Sequence, residues 1–469
     1  MFDFEQRVFD YTHRRKLHER YEAYIDSRKS GLNCFADYEL ASQQLAYLRY
    51  EAIENMEANL LAFEENFTKR GGKVIWAETA REACEAITNI IQTKEARKIL
   101  KAKTATISEI GLTQFLEEQE IAVTETNLDD FILQTLADKV NHFTTPAQYL
   151  SRSYIATHLK ESIPELFEVE TKKNKSSQLQ MFEEVPEISS EDISKAVSAY
   201  LRPHYIEAEI GITGANFLVA DIGGVAITEN EGNARLLATF PHTHIVVAGI
   251  DKIVPHFTDL ALYWQMLSVN ATGQRMTAYQ TVYTGSRQAD EVDGATEMYV
   301  ILLDNGRTKM LADSRLRHAL RCIKCGACAN VCPVYRLVGG EAYQSPYVGA
   351  IGAVINPHLY NKPAYFDMSH ASTLCGACEE VCPVQIDLPA LLLHNRALRV
   401  QSNLASQTEK RVIKFWHKYM LHKKNWTRWN AKWKNNTLQH FFKRTWGRRQ
   451  AIPEFVAESF HEQWAGKVR

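Results

Sequence analysis

The 469-residue chain has no uninterrupted apolar run near the ~20 residues that a membrane-crossing helix needs. Its opening, "MFDFEQRVFDYTHRRKLHERYE", is charged throughout and holds no run of about 7 to 15 apolar residues, so a secretory leader is not expected. P-loop, nucleophile-elbow and H-E-x-x-H patterns are absent, and the glycines of "GITGANFLVADIGG" never make G-x-G-x-x-G after a strand. The usual signatures of nucleotide hydrolysis, serine hydrolysis, zinc proteolysis and dinucleotide binding are therefore missing. Net charge is also small, at -2, but it is unevenly spread. Residues 410–449 carry thirteen Lys and Arg and no acid, which leaves about -15 on the remainder.

Cysteine is scarce outside one stretch. Cys34 and Cys84 stand alone and read as small buried apolar side chains, whereas the other seven of nine lie between positions 322 and 382. The chain reads as a soluble cytoplasmic protein with reduced thiols, so this clustering favours metal over disulfides.

Around the cysteines the chain divides into distinct rhythms. Residues 38–67 have apolar positions at three and four spacing without Gly or Pro, which predicts a long amphipathic helix within an N-terminal helical segment, 1–69. From 70 to 308 strand and helix patterns alternate. "KVIWAE" (73–78), "KTATIS" (103–108) and "IAVTET" (121–126) read as strands, "TAREACEAITNIIQ" (79–92, capped by Thr79) and "LTQFLEEQ" (112–119) as helices. After a polar stretch at 170–190, expected as a surface loop, the pattern resumes with a helix at 191–201. Strands separated by glycine turns follow over 208–237, and buried strand runs over 243–254 and 297–306. This alternation predicts an α/β layered domain with a largely parallel sheet. A cysteine region, 309–395, and a basic, Trp-rich region, 396–469, complete the chain.

Cys322, Cys325, Cys328 and Cys332, followed by Pro333, have the C-x-x-C-x-x-C-x-x-x-C-P spacing of bacterial ferredoxins. Three thiolates on one tight loop reach three irons of a cubane, the fourth points away, and Gly326 lets backbone approach the sulfides. A second copy follows at Cys375, Cys378 and Cys382, but Ser372 stands where its first cysteine would be. In two-cluster ferredoxins the fourth cysteine of each motif ligates the other cluster. That crossing assigns Cys322, Cys325, Cys328 and Cys382 to one cluster and leaves Cys332, Cys375 and Cys378 for the second. The second is then either a 4Fe-4S centre completed by the Ser372 oxygen, another side chain or solvent, or a 3Fe-4S centre. Structural zinc, which Cys-x-x-Cys pairs also serve, fits this repeated seven-cysteine spacing poorly. The 42 residues between Cys332 and Cys375 exceed a minimal ferredoxin linker, and "NPHLYNKPAYFDMSH" within them reads as a covering loop or helical insert.

Other features carry two readings each. "ITENEGNAR" (227–235) is either a ligand loop at the carboxyl ends of strands, with Glu229, Asn230, Glu231, Asn233 and Arg235 as its polar groups, or a hydrogen-bonded turn. His242 and His244 have no carboxylate or cysteine set nearby and read as ordinary hydrogen-bonding side chains. Trp426, Trp429 and Trp433 would share one helix face beside Lys423, Lys424, Arg428, Lys432 and Lys434. That face suits an acidic partner first, then a membrane interface near a quinone pool or the chain's own acidic body. A nucleic-acid partner shares the composition but is not expected.

"ITGANFLVADIGGVAITENEGNARL" with "PHTHIVVAGIDKIVP", "CIKCGACANVCPVY", "CGACEEVCPVQIDLP" and the basic Trp-rich C-terminal segment together resemble the lactate utilisation protein B family over nearly the whole chain. The resemblance implies an α/β lactate-utilisation domain with the fold shared by glucosamine-phosphate deaminases, ribose-phosphate isomerases and CoA transferases. An α-helical two-cluster ferredoxin-like region and a helical tail would follow it. It also implies an iron-sulfur electron-transfer subunit that works with two companion proteins in oxidising L-lactate to pyruvate. The seven-cysteine arrangement is similar to that family's, so Ser372 is no departure from it.

Overall fold

The computed structural model describes residues 11–136, 152–164, 166, 189–422, 425, 430–446, 452, 454–458 and 460–467. The polar stretch expected as a loop lies outside these up to residue 188. Its end does not continue as loop: Ser189 caps the helix Ser190–Glu207 in a reciprocal capping box with Asp192.

Ten strands occur among the described residues. They are β1 (Lys73–Ala77), β2 (Ile99–Lys101), β3 (Val123–Glu125), β4 (Ile210–Gly214), β5 (Phe217–Val219), β6 (Gly224–Glu229), β7 (Thr243–Gly249), β8 (Ile253–Val254), β9 (Tyr279–Tyr283) and β10 (Glu297–Leu303). Six make a wholly parallel sheet in the order β1-β10-β7-β4-β2-β3, and four make a smaller mixed sheet, β8-β5-β6-β9. The apolar runs at the centre follow from burial on both faces. Ile245 and Val247 of β7 join Ile210, Ile212, Ile301 and Leu303 in one core, while Val246 and Ala248 join Val300 and Leu302 in the other. That second core continues without a break into Leu320, Ile323, Cys328, Cys378 and Leu392, so sheet and cysteine region share one interior.

Local sequence explains several departures from the expected elements. Residues 105–108 of the expected strand 103–108 are helical, within Ala105–Ile110, and the strand lies earlier, at β2. Thr104 Oγ accepts the Thr106 N–H (3.3 Å), so a β-branched residue acts as a cap, and Gly111 in left-handed conformation (φ 67) ends the helix. The long helix over 38–67 is two, Tyr38–Glu54 and Met56–Lys69. Asn55 between them leaves helical geometry (φ -103, ψ 26) and turns its Nδ2 onto the Glu51 carbonyl (3.0 Å). "NARLLAT" is helical, Asn233–Thr239, entered through Gly232 at φ 82. Thr79 does cap Ala80–Thr93, accepting the Glu82 N–H at 3.2 Å, a contact worth about 1 kcal/mol.

The N-terminal helices tie the sheet to the cysteine region. Arg49, 1% exposed, donates to the carbonyls of Asp251 (2.6 Å) and Ile253 (2.8 Å) beside the sheet and of Leu320 (2.8 Å) and Arg321 (2.9 Å) just before the first cysteine. One guanidinium thus serves four carbonyls from two separate segments.

Residues Arg399–Arg469 form a separate compact unit with helices Gln407–Met420, Ala431–Trp446 and Phe460–Lys467. Ser406 caps the first of these, accepting the Glu409 N–H at 3.1 Å. Val412, Ile413, Phe415 and Trp416 are exposed on it, as is Trp433 on the second. Trp426 and Trp429, with Lys423, Lys424 and Arg428, lie outside the described residues. Among the described residues no helix is long and apolar enough to cross a membrane.

Candidate metal centre

The two cysteine loops have nearly the same backbone. In the first, Cys322 is extended (φ -59, ψ 127), Lys324 is left-handed (φ 60), Gly326 is left-handed (φ 77) and a four-residue helix, Ala327–Asn330, follows. In the second, Ser372 (φ -70, ψ 136), Leu374 (φ 55), Gly376 (φ 87) and Ala377–Glu380 repeat the sequence of conformations. Glycine at both turns supplies the left-handed residue at little steric cost. Cys332 ends the first motif, and Pro333 then starts the helix Pro333–Val338.

Charge interactions sort the seven thiols into two sets. Cys325 and Cys328 each interact with Cys322 and Cys382, which also interact with each other, whereas Cys332 interacts with Cys375, and Cys378 with both of these. The first set therefore draws its fourth member from the second motif, and the second set takes Cys332 from the first. Burial is the main influence on each shifted thiol. It pushes Cys332 and Cys382 up to about 11, Cys378 up to about 12, and Cys325 and Cys328 higher. Backbone N–H groups oppose it. Lys324 donates to Cys322 Sγ (3.3 Å) and Ile386 to Cys382 Sγ (3.4 Å), while Ala327 serves Cys325, Ile351 serves Cys328, Val334 serves Cys332 and Glu379 serves Cys378.

Thiols gathered in apolar surroundings with amide donors aimed at sulfur are what an iron-sulfur cluster requires of its protein. Among the described residues no three His, Cys, Asp or Glu side chains converge on a single metal ion. A cubane makes no such demand, because each thiolate binds a different iron. The residues fit two clusters, with four thiols grouped where one would sit and three where the other would. Around the second set a small cavity is lined by Cys332, Cys375, Cys378 and Ser372.

The sets differ in cover. The 42-residue insert is helical where it crosses the loops: Gly349–Leu359 packs on Ala327–Asn330 and brings the Ile351 N–H to Cys328. A Cβ at Gly349 (φ 68) would lie 2.6 Å from the Ala329 Cα, so this close approach requires glycine. Cys328 is 8% exposed, whereas Cys375 is exposed.

A chain of buried charges leads from the first loop into the α/β part. Lys324, between Cys322 and Cys325, pairs with Asp251 (3.5 Å) and sits over the Tyr347 ring (5.1 Å). Arg307 bridges Asp251 (2.5 Å) and both oxygens of Glu109 (2.9 and 2.8 Å), and Tyr347 Oη donates to Glu109 (2.7 Å). Burial raises the Glu109 and Asp251 carboxyls and is the largest single influence, but the Arg307 charge, its hydrogen bonds and the other donors and cations around them together outweigh it, and both are held below the ordinary carboxylate range.

Lys324 and Tyr347 also line a cavity of about 360 Å³ at the carboxyl ends of β2 and β4, together with Lys103, Lys252, Glu229 and Glu231. Lys252 donates to the Ala215 carbonyl, and burial draws its amine down to about 8. Of the five loop residues singled out in the sequence, Glu229, Asn230, Glu231 and Asn233 line this cavity, but their polar atoms hold the loop itself. Glu229 accepts the Ala234 and Arg235 N–H groups (both 2.9 Å) and Glu231 those of Asn127 Nδ2 (2.8 Å) and Leu128 (2.9 Å). Asn230 bonds Gln274 (2.9 Å) and Ala278 (3.0 Å), and Asn233 donates to Thr126 (3.1 Å). Arg235 lies over the Tyr279 ring (4.8 Å) and lines a different cavity, with Arg70 and Arg287. His244 is buried and bonded to Thr213 (2.7 Å), and its burial lowers it to about 3.

Sequence reasoning passed over Arg49, Glu109, Arg307, Lys324 and Tyr347. Only Lys324 carried a signal, its place inside a Cys-x-x-Cys. The others owe their roles to neighbours far away in the chain.

Comparison with known proteins agrees with this architecture. Residues 60–303 match the LUD domain family and residues 318–386 the 4Fe-4S dicluster domain. The chain is 37% identical to the "Uncharacterized electron transport protein YkgF" of Escherichia coli over 83% of this chain and 78% of that one. It is 40% identical to "Lactate utilization protein B" of Bacillus subtilis and 39% identical to that of Bacillus velezensis, each over 74% of this chain and 69% of the other. The cysteine region is thus a 4Fe-4S dicluster domain.

Proposed function

The chain belongs to the lactate utilization protein B family of LUD-domain proteins, and from that premise we propose that it is the electron-transfer subunit of L-lactate oxidation to pyruvate. Companion lactate-utilisation proteins deliver the electrons, and the route ends at a respiratory acceptor, with membrane quinone reached indirectly. The observation that carries the reading is the division of seven thiols into one covered set and one with an exposed member, inside a single core. When bound, the two clusters supply one-electron carriage.

In this reading Cys322, Cys325, Cys328 and Cys382 hold the covered cluster, and Cys332, Cys375 and Cys378 the other. Backbone N–H donors and the Lys324 cation tune the first, while exposure at Cys375 lets a partner approach the second. Residues 70–308 act as the lactate-utilisation domain, 309–395 as the cluster domain, 1–69 as the helical tie between them and 396–469 as a basic docking region. The protein works in the cytoplasm, peripherally at the inner face of the membrane. With companions added, Cys325→Ala and Cys378→Ala each abolish lactate-dependent reduction of the acceptor. Full reduction by either variant removes that cluster from the path.

A second reading, a catalytic subunit with its own substrate pocket, is favoured by the cavity beside Lys252 that shares Ile323 and Lys324 with the first cysteine loop. Lactate turnover by the isolated protein with an artificial acceptor supports it; turnover only with companions supports the relay.

A further inference from the structure

We propose that Ser372 is the fourth protein ligand of the second cluster, binding its remaining iron through Oγ. The proposal rests on the two-cluster reading above and goes beyond it by assigning the corner for which the chain has no cysteine.

Three observations place Ser372 there. Its backbone (φ -70, ψ 136) matches that of Cys322 (φ -59, ψ 127), so the two Cα–Cβ bonds leave their loops in the same sense. The residue two positions on is left-handed in both loops, Lys324 at φ 60 and Leu374 at φ 55. That turn aims its N–H back at the side chain of the first residue. Lys324 N–H donates to Cys322 Sγ at 3.3 Å, and Leu374 N–H donates to Ser372 Oγ at 3.2 Å. The serine oxygen thus has the position and the amide partner that the cysteine sulfur has in the first loop. Finally, Ser372 lines the same cavity as Cys332, Cys375 and Cys378.

The other side-chain donors at that cavity are Met368, whose sulfur faces Asn356 Nδ2 (3.8 Å), the exposed Thr373, and Tyr343, buried with its ring against Tyr335 (5.8 Å); none of them holds the first position of the loop as Ser372 does. Solvent itself remains the competitor, since Cys375 is exposed. On ligation the Ser372 Oγ–H bond breaks and the proton leaves to solvent, while an Oγ–Fe bond forms in place of any bound water. No electron is transferred. The Leu374 N–H stays on Oγ, as an amide stays on a coordinated sulfur. Because a hard alkoxide favours ferric iron more than a thiolate does, this cluster should be harder to reduce than its all-thiolate counterpart.

The test compares the full-length wild type, Ser372→Ala and Ser372→Cys, purified without oxygen, by iron and sulfide content, EPR and Mössbauer spectroscopy. Wild type and Ser372→Cys should hold about eight irons per chain, and Ser372→Ala about seven, with the EPR signal of an oxidised three-iron cluster. Ser372→Cys should raise the potential of the second cluster alone. The four-cysteine cluster is the internal control: its signal persists in all three proteins if the two-cluster reading holds, and its absence from wild type fails that reading rather than this proposal. A Ser372→Ala protein that keeps about eight irons per chain and an unchanged second-cluster spectrum would overturn the assignment. So would a wild type already lacking the fourth iron. Should Ser372→Ala not fold, wild type in isotopically labelled water decides. Hyperfine coupling from solvent oxygen on the second cluster contradicts serine ligation, and its absence supports it.

Discussion

The two cysteine loops share a backbone and differ in almost everything around it. The first is covered by Gly349–Leu359, receives N–H donors at each of its four thiols, and has the Lys324 cation against a buried Asp251. The second has three thiols, an exposed Cys375 and the exposed carboxylates Glu379 and Glu380 beside it. The duplicated motif thus sits in two environments that differ most at Cys375, which is exposed, whereas each thiol of the first set is buried or partly buried. Because cluster potential follows hydrogen bonds to sulfur, nearby charge and solvent exposure, the same loop geometry yields two carriers of different potential.

The largest test of that contrast is removal of one thiol from each set. Cys328→Ala should lose the covered cluster and, because the side chain is packed in the core, lower the midpoint of denaturant unfolding as well; Cys375→Ala should lose only the surface cluster and leave the midpoint nearly unchanged. Equal destabilisation by both would break the comparison. A bulky iron chelator should, for the same reason, bleach the three-cysteine cluster at least about tenfold faster than the four-cysteine one, followed by visible absorbance and EPR. Similar rates would mean that the cover on the first loop does not protect it.

Next in size is the charge network behind the covered loop. Arg307→Met removes the cation that buried Glu109 and Asp251 share, leaving Asp251 the longer contact to Lys324, and should cost about 3–5 kcal/mol in urea unfolding. The pH dependence has a definite sign. Both carboxyls have folded-state values below their unfolded ones, so their contribution is full above the unfolded value, about pH 4, and fades as pH falls toward the folded values. Acid unfolding of the wild type should therefore steepen below about pH 4, and the Arg307→Met variant should lose that steepness. The smallest effect expected is from Lys324→Met. Loss of a cation beside the first loop should lower the covered cluster's potential by tens of millivolts and leave the surface cluster's unchanged, as read by redox titration with EPR.

The two motifs and the gap at Ser372 were legible in the sequence, because ferredoxin ligation is a local pattern whose spacing is chemically dictated. The parallel sheet was legible for a similar reason: "THIVVAG" and "EMYVILL" are apolar on both faces. Residues 105–108 were misread because Thr and Ile favour strands in isolation, whereas here Thr104 caps a helix. β9 was missed because its residues are only half-buried or exposed, so its alternation is faint. Arg49 and Arg307 look like surface cations in sequence. Their burial follows from carbonyls more than two hundred residues from Arg49 and from carboxylates 56 and 198 residues from Arg307, which no local window contains.

The crossing of ligands between motifs is most directly tested with Cys382→Ala, examined by EPR beside Cys328→Ala and Cys375→Ala. Cys382 sits in the second motif but belongs with the covered set. Its removal should erase the signal that Cys328→Ala erases and spare the one that Cys375→Ala erases. Loss of the Cys375 signal instead, with the Cys328 signal intact, would mean that each motif keeps its own cluster and would contradict the account.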